Sequence, residues 1–334
     1  MENKNYMVDI QGLSVEFRTE NGTVKALNSL DLQLKKGSTL GLVGETGAGK
    51  TTAGLAMLGL IPDPPGKITA GKILLNGENL LEKSEAELEK IRGKEISMIF
   101  QDPMTALNPV FTVEDQIAES IRLHEPVTKD AALEKARAML ELVGIPRERG
   151  KEYPHQFSGG MKQRVVIAIA LACSPTVLIA DEPTTALDVT IQAQVLDMMK
   201  NLKNQYDTSM ILITHDLGVV AEICDEVSVV YAGEVIEHGT LRDIFKNTRH
   251  PYTEGLFNSL PNLERRAEKL KPIKGMMPDP SNLPTGCAFC ERCNYALSIC
   301  QTEHPQAHYR SDTHYVRCHL YNDGGLEEGR LERK

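Results

Sequence analysis

From about residue 6 to residue 42 apolar and polar residues alternate, with turn residues at Glu20-Asn21-Gly22 and Lys36-Gly37. This predicts a small antiparallel β-region. Leu40 to Val43 is a short apolar run, read as a buried strand, and a Gly-rich loop and the helix-forming run Ala53 to Leu60 follow it. A second strand pair is expected around Lys67 to Asn76, closing on an Asn-Gly turn, and a further apolar strand at Ile96 to Phe100. Between about 104 and 157 the strand signal disappears. Val113 to Leu123 and Lys129 to Val143 carry helical spacing, which predicts a helical insertion. Strand-like runs return at Thr176 to Ala180, Ser209 to Ile213 and Glu226 to Tyr231, with helical segments between them. Such alternation implies a mainly parallel sheet covered by helices on both faces. After about Tyr252, Pro261, Pro272, Pro278, Pro280 and Pro284 break the chain into loop, and the last dozen residues, Asp323 to Lys334, read as frayed. The expected fold class is therefore α/β. Residues 1–255 form the main domain, with the helical subdomain at about 104–157, and 256–334 form a small Cys-rich C-terminal extension.

Composition narrows the partners. The 334 residues are 41% hydrophobic and 25% charged, enough for a sizeable core. With 37 Lys+Arg against 46 Asp+Glu the net charge is −9, which argues against nucleic acid as the main partner. The longest apolar stretch, Val165 to Cys173, is far short of the roughly 20 residues that span a bilayer. Any membrane role is expected to be carried by a partner.

Gly44-Glu45-Thr46-Gly47-Ala48-Gly49-Lys50-Thr51, followed by Thr52, fits G-x-x-x-x-G-K-[ST] between a strand and a helix. Glycines let backbone N–H groups close around a phosphate, Lys50 supplies a cation, and the Thr51 hydroxyl can serve Mg²⁺. The helix start adds its positive dipole end. Val177 to Ala180 is an apolar strand that ends in Asp181 and Glu182. There Asp181 can order the Mg²⁺ shell and Glu182 can poise a water for attack on the γ-phosphate of ATP. Ser158, Gly159 and Gly160, within Phe157-Ser158-Gly159-Gly160-Met161-Lys162-Gln163-Arg164, offer a hydroxyl and backbone N–H groups at a helix start, a second anion site on the same chain.

In this order and spacing the segments resemble the ABC-type ATPases, so a RecA-like P-loop core is implied. The resemblance implies that two such domains pair head-to-tail, each closing its Ser-Gly-Gly over the other's ATP. It further assigns Gln101 to the loop that touches Mg²⁺ or water and senses a membrane partner. By the same resemblance Asp188, in Thr184-Thr185-Ala186-Leu187-Asp188, is expected to cross the dimer interface, His215 to contact the γ-phosphate, and Phe17 to stack on adenine. Gln101-Asp102-Pro103-Met104-Thr105-Ala106-Leu107-Asn108-Pro109 and His250-Pro251-Tyr252-Thr253, followed by Leu260-Pro261, look like the oligopeptide/dipeptide (and nickel-peptide) importer branch. That likeness implies a second, related ATPase, two integral-membrane permeases, an external binding protein and a place on the cytoplasmic face of the membrane. Soluble ABC ATPases acting on nucleic acid or ribosomes are the rival class. Only about 110 residues separate the phosphate loop from Ser158, too few for the long coiled coil of the DNA-repair members, and a single cassette is present.

Five of the seven cysteines crowd into Cys287-x2-Cys290-x2-Cys293-x6-Cys300-x17-Cys318. Soft ligands in a reducing compartment suit an Fe–S cluster or Zn²⁺, with unmetallated thiols or disulfides as the other reading. The branch pattern, similar to Cys-x-Phe-x-x-Arg-Cys…Cys…Cys, selects Cys287, Cys293, Cys300 and Cys318 and implies a [4Fe–4S] cluster. Cys290 departs from it and makes an alternative ligand through a C-x2-C-x2-C run.

Overall fold

The structure is a computed structural model and describes residues 6–20, 22–184, 187–259 and 272–322. The chain opens on a long antiparallel hairpin, β1 (Tyr6–Thr19) and β2 (Gly22–Lys35). In β1 the buried positions change parity along the strand, from Val8 and Ile10 to Leu13 and Val15, across a shift in register. Gly12 sits at that shift with φ 57° and gives its N–H to Asp31 Oδ1 at 2.8 Å. The irregularity returns the next apolar side chains to the core, which a regular strand would turn outward.

Next come β3 (Thr39–Val43), α1 (Lys50–Met57), β4 (Gly66–Leu75) and β5 (Glu78–Asn79). Strands β4 and β5 turn at Asn76-Gly77 and complete a four-stranded sheet of order β2-β1-β4-β5. After α2 (Glu85–Ile91) and β6 (Ile96–Ile99), the chain enters a helical layer of α3 (Pro103–Ala106), α4 (Val113–His124), α5 (Lys129–Leu142) and α6 (Gly159–Leu171). Thr112 and Thr128 cap α4 and α5 by accepting the N–H groups of Asp115 and Ala131. Val113, Ile117 and Ile121 are spaced by four along α4 and share one core with Ala132, Ala136 and Leu140 of α5.

The remainder alternates β7 (Val177–Asp181), α7 (Val189–Gln205), β8 (Ser209–Thr214), α8 (Leu217–Ile223) and β9 (Glu226–Tyr231). It closes with β10 (Glu234–Thr240), α9 (Leu241–Lys246), α10 (Pro251–Asn258), β11 (Ala307–Tyr309) and β12 (Tyr315–Arg317). The main sheet has eight strands in the order β11-β12-β10-β9-β3-β8-β7-β6. From β9 to β6 all neighbours are parallel, and β10, β12 and β11 add an antiparallel edge.

Every residue of β3, β7, β8 and β9 is buried, as a sheet covered on both faces requires. Alternate side chains feed two different cores. Val177, Ile179, Ile211 and Ile213 pack with the antiparallel sheet and with Ala53, Ala56 and Met57 of α1. Leu178, Ala180, Met210 and Leu212 pack with the helical layer, α7 and α8. The strand ends that leave these cores carry the candidate chemistry.

Two features differ from the sequence reading. Helix α10 extends to Asn258 where loop is expected, because Pro251 starts a helix that His250 caps, its Nδ1 accepting the Tyr252 N–H at 3.0 Å. The Cys-rich segment is tied to the main domain rather than standing apart from it. Its strands β12 and β11 extend the main sheet, Phe289 joins the larger core, and Pro280 accepts the Lys25 N–H at 2.9 Å. Leu260-Pro261 and the terminal Asp323 to Lys334 lie outside the described residues.

His250 is 1% exposed, and burial pushes its imidazole down to about 3. Since the folded value lies below the ordinary 6.5, the stabilisation is complete above pH 6.5 and is lost as pH falls from there toward 3. Asn caps helices without titrating. His250→Asn is expected to flatten the pH dependence of stability in that window, by roughly 3 kcal/mol at pH 4. Urea melts at pH 7 and pH 4 measure this, and an unchanged slope would dismiss the assignment.

Candidate functional site

The candidate site forms where β3, β7, β8 and β6 end on one side of the sheet. Between β3 and α1 the chain turns through Gly44 to Gly49, and Gly49 precedes α1 with φ 102°. A Cβ at Gly49 would lie 2.5 Å from the Ala26 carbonyl oxygen, so this turn is closed to other residues. Ala48 is buried, Thr46, Gly47 and Thr51 are exposed, and Thr52 is half-buried. Lys50 is 6% exposed, and its ammonium donates to the Gly44 carbonyl at 2.7 Å and the Glu45 carbonyl at 2.9 Å. Burial lowers its pKa against the pull of Glu182, Asp181 and Glu45. A cation is thus stored inside the loop, set among carboxylates.

Asp181 ends β7 and is 2% exposed. Burial, first, and then Glu182 push its carboxyl above the usual range, while the Thr51 hydroxyl and Lys50 pull it back. Among the described residues its Oδ1 has no hydrogen-bond partner. A bare, buried carboxylate oxygen beside a threonine hydroxyl fits a divalent cation, so Thr51 and Asp181 suit Mg²⁺.

Glu182 follows with φ 47°, a left-handed backbone that costs on the order of 1 kcal/mol and is pinned by its N–H on the Ile213 carbonyl at 2.8 Å. Its side chain is held from two sides. Gln101 Nε2 donates to Oε2 at 2.8 Å, and His215 Nδ1 pairs with Oε1 at 2.9 Å. Residues from the ends of three strands, far apart in sequence, meet on one carboxylate.

Ser158 caps α6, its hydroxyl accepting the Met161 N–H at 3.4 Å. Ser158 and Gly159 are exposed and Gly160 is half-buried, so this anion site faces outward. Asp188 precedes α7, and the next residue, Val189, is 83% exposed. Thr185 and Ala186 lie outside the described residues. Phe17 pairs with Gly66 across β1 and β4, where a Cβ would lie 2.7 Å from the Phe17 ring. The ring packs partly buried at the edge of the smaller core.

The structure gives the expected cysteine metal site no direct support. Among the described residues no three or more His, Cys, Asp or Glu are gathered closely enough to hold a metal ion. The thiols of Cys287, Cys293, Cys300 and Cys318 are unbridged and share one regular feature. Each sulfur accepts a backbone N–H: from Phe289, from Tyr295 at 3.3 Å, from Leu297 at 3.4 Å and from Leu320, respectively. Burial pushes the Cys287 and Cys318 thiols up to about 12 and Cys293 up to about 11. Among the described residues no N–H reaches the Cys290 sulfur, whose thiol is also raised by burial. N–H donors aimed at sulfur favour thiolates, so the donor chemistry fits a soft metal group though the four sulfurs do not converge on a single-ion site.

Sequence reasoning missed two residues that reach the phosphate loop. Tyr252 Oη accepts the Glu45 N–H at 2.9 Å, and Arg292 pairs with the Glu45 carboxylate through Nη1 at 2.6 Å and Nη2 at 2.9 Å. Both stand in segments singled out for family likeness, but nothing in their spacing points to a loop more than 200 residues away.

A phosphate-cradling loop beside a strand-end acid pair, with a second anion site turned outward, defines an ATPase of the ATP-binding-cassette class. The family model described as ABC transporter matches residues 27–185, and one described as oligopeptide/dipeptide transporter, C-terminal region, matches 236–300. The chain is 50% identical over 316 residues to the dipeptide transport ATP-binding protein DppD of Bacillus subtilis, covering 94% of each. It is 51% identical to the oligopeptide transport ATP-binding protein OppD of the same organism, covering 94% of this chain and 88% of that one. In structure it is similar to the ATP-binding cassette MJ0796, solved as a dimer after hydrolysis with ADP and Pi, at a TM-score of 0.64 and 26% identity over 71% of this chain. The chain belongs to the ABC transporter family, in its oligopeptide/dipeptide branch, as an ATP-binding and ATP-hydrolysing subunit. The relatives support this transporter reading and not the soluble nucleic-acid one.

Proposed function

We propose that the chain drives import of dipeptides or oligopeptides as one of two paired ATPase subunits on the cytoplasmic face of a membrane. The observation that carries the pairing is the outward-facing Ser158-Gly159-Gly160, an anion site placed at the surface, where a partner's ATP can meet it. The dimeric state of MJ0796 supports the same arrangement. In this reading Lys50 and the loop N–H groups bind the phosphates, Ser158 of each subunit closes the other's γ-phosphate, and Asp188 lies at the interface. Glu182 takes the proton of the attacking water, and Gln101 and His215 orient it. Mg²⁺ would be held by Thr51, Asp181 and Gln101 and neutralise the developing phosphate charge. Phe17 supplies the adenine contact.

Among the described residues no helix is long and apolar enough to cross a membrane. In the stretch of chain from Phe100 to Phe111, however, Phe100, Met104, Val110 and Phe111 expose large apolar side chains, with Met104 at 59% and Val110 at 71%. Lys162 of α6 reaches Met104 Sδ at 3.4 Å, which links this patch to the helix that Ser158 begins. Exposed apolar side chains on the segment that follows Gln101 suit a permease contact, and motion at Gln101 would pass through that segment. Two permeases, a related second ATPase and an external binding protein complete the proposed assembly. Co-expression with the permeases tests it. The unaltered chain is expected to co-purify with them, and Met104→Asp with Phe111→Asp to lose that association while its ATP affinity stays within about twofold. Association that survives both substitutions would remove the patch from this role.

We also propose that Cys287, Cys293, Cys300 and Cys318 hold a [4Fe–4S] cluster in a structural role. The four N–H donors to sulfur support this ligand set over one that includes Cys290, since donors to sulfur stabilise ligating thiolates. Anaerobically purified protein is expected to contain iron and acid-labile sulfide in equal amounts, and zinc without sulfide would overturn the cluster.

A further inference from the structure

Glu45, the second residue of the phosphate loop, is held by all three of its polar groups. Its N–H donates to Tyr252 Oη at 2.9 Å, its carbonyl accepts from Lys50 Nζ at 2.9 Å, and its carboxylate is gripped bidentately by Arg292 at 2.6 and 2.9 Å. Two of those partners, Tyr252 and Arg292, come from beyond the last parallel strand, and Arg292 lies between Cys290 and Cys293.

Arg292 is itself immobilised. Its side chain is 6% exposed, Nε donates to the Lys274 carbonyl at 3.0 Å, and Nη1 reaches Tyr231 Oη at 3.3 Å. The guanidinium lies 5.8 Å from the Tyr231 ring and 5.9 Å from the Phe289 ring, and Tyr252 packs on both rings. A planar fork fixed in this way matches a carboxylate in one orientation.

Nucleotide binding changes this balance. Lys50 spends two of its three N–H donors on the Gly44 and Glu45 carbonyls, and where the phosphates draw the ammonium away the Glu45 carbonyl keeps the Ala48 N–H at 3.2 Å. Tyr252 and Arg292 then hold Glu45 from outside the loop. Arg292 also neutralises a carboxylate that would otherwise face a polyanion from within the loop. We propose that Arg292 is a positioning residue for the nucleotide site, through which the cysteine-bearing segment sets ATP affinity. The inference rests on ATP occupying this loop and not on any metal in the cysteine segment.

The test is equilibrium binding of a fluorescent ATP analogue to the full chain, with melting temperatures recorded alongside. Arg292→Ala is expected to raise Kd at least fivefold, and Arg292→Lys, which keeps the charge but not the fork, to fall between. Glu45→Gln combined with Arg292→Ala should be no worse than Arg292→Ala alone, because the carboxylate left unpaired in the single variant is gone. If Arg292→Ala does not fold, Arg292→Lys and Glu45→Gln preserve the packing around the rings and carry the comparison, each expected to raise Kd at least twofold. A Kd that stays within twofold in every folded variant, or effects of Glu45→Gln and Arg292→Ala that simply multiply, would overturn the proposal, even with a lowered melting temperature. Binding by the unaltered chain is read in the same assay, which separates failure of the ATP reading from failure of this coupling.

Discussion

Glu182→Gln is expected to lower ATP turnover by about 10²- to 10⁴-fold, the usual contribution of a positioned general base, while ATP stays bound and the paired state accumulates. The geometry explains why the change is clean. The Glu182 carboxylate accepts from Gln101 Nε2 at 2.8 Å and meets His215 Nδ1 at 2.9 Å, and an amide of the same shape can keep one acceptor and one donor in those places. What it cannot do is take a proton from water. Losing the negative charge also removes a repulsion of the γ-phosphate, so the bound state is favoured further. Phosphate release and the size of the ATP-bound species, measured together, check both halves. Unchanged hydrolysis would remove Glu182 from the role of base.

Lys50→Gln is expected to weaken ATP binding about 100-fold, near 2.7 kcal/mol, the scale of a charge-assisted hydrogen bond lost from a buried site. Lys50 is the cation set among Asp181, Glu182 and Glu45. Without it Asp181 and Glu182 face the polyphosphate with no lysine cation between them. The fold is expected to survive, because in the absence of nucleotide Lys50 contributes only two hydrogen bonds to loop carbonyls. Binding of the fluorescent analogue measures the loss, and a change below fivefold would show that the backbone carries the phosphates alone.

Much of this protein was legible in its sequence. The continuous apolar runs of β7 and β8, the turn at Asn76-Gly77 and the four-residue spacing along α4 are local consequences of the residue pattern, and they stand where that pattern puts them. The phosphate loop is legible for the same reason: glycine, lysine and threonine act within one turn of chain. Helix α10 was not, since its start depends on a histidine cap that competes with proline punctuation of the same segment.

Convergence was settled only by tertiary structure. That Gln101 and His215 close on one carboxylate follows from the lateral order of β6, β7 and β8, which strand pairing fixes and no local spacing encodes. The same holds for Glu45. As a sequence feature it is one of four unspecified positions in a phosphate-binding motif, free of any required chemistry. In the folded chain it is the point where a cysteine-bearing segment nearly 250 residues later takes hold of the loop. An ion pair of that separation is paid for by the packing of Tyr231, Tyr252 and Phe289 around Arg292, and packing of side chains from distant strands is decided only when the whole core assembles.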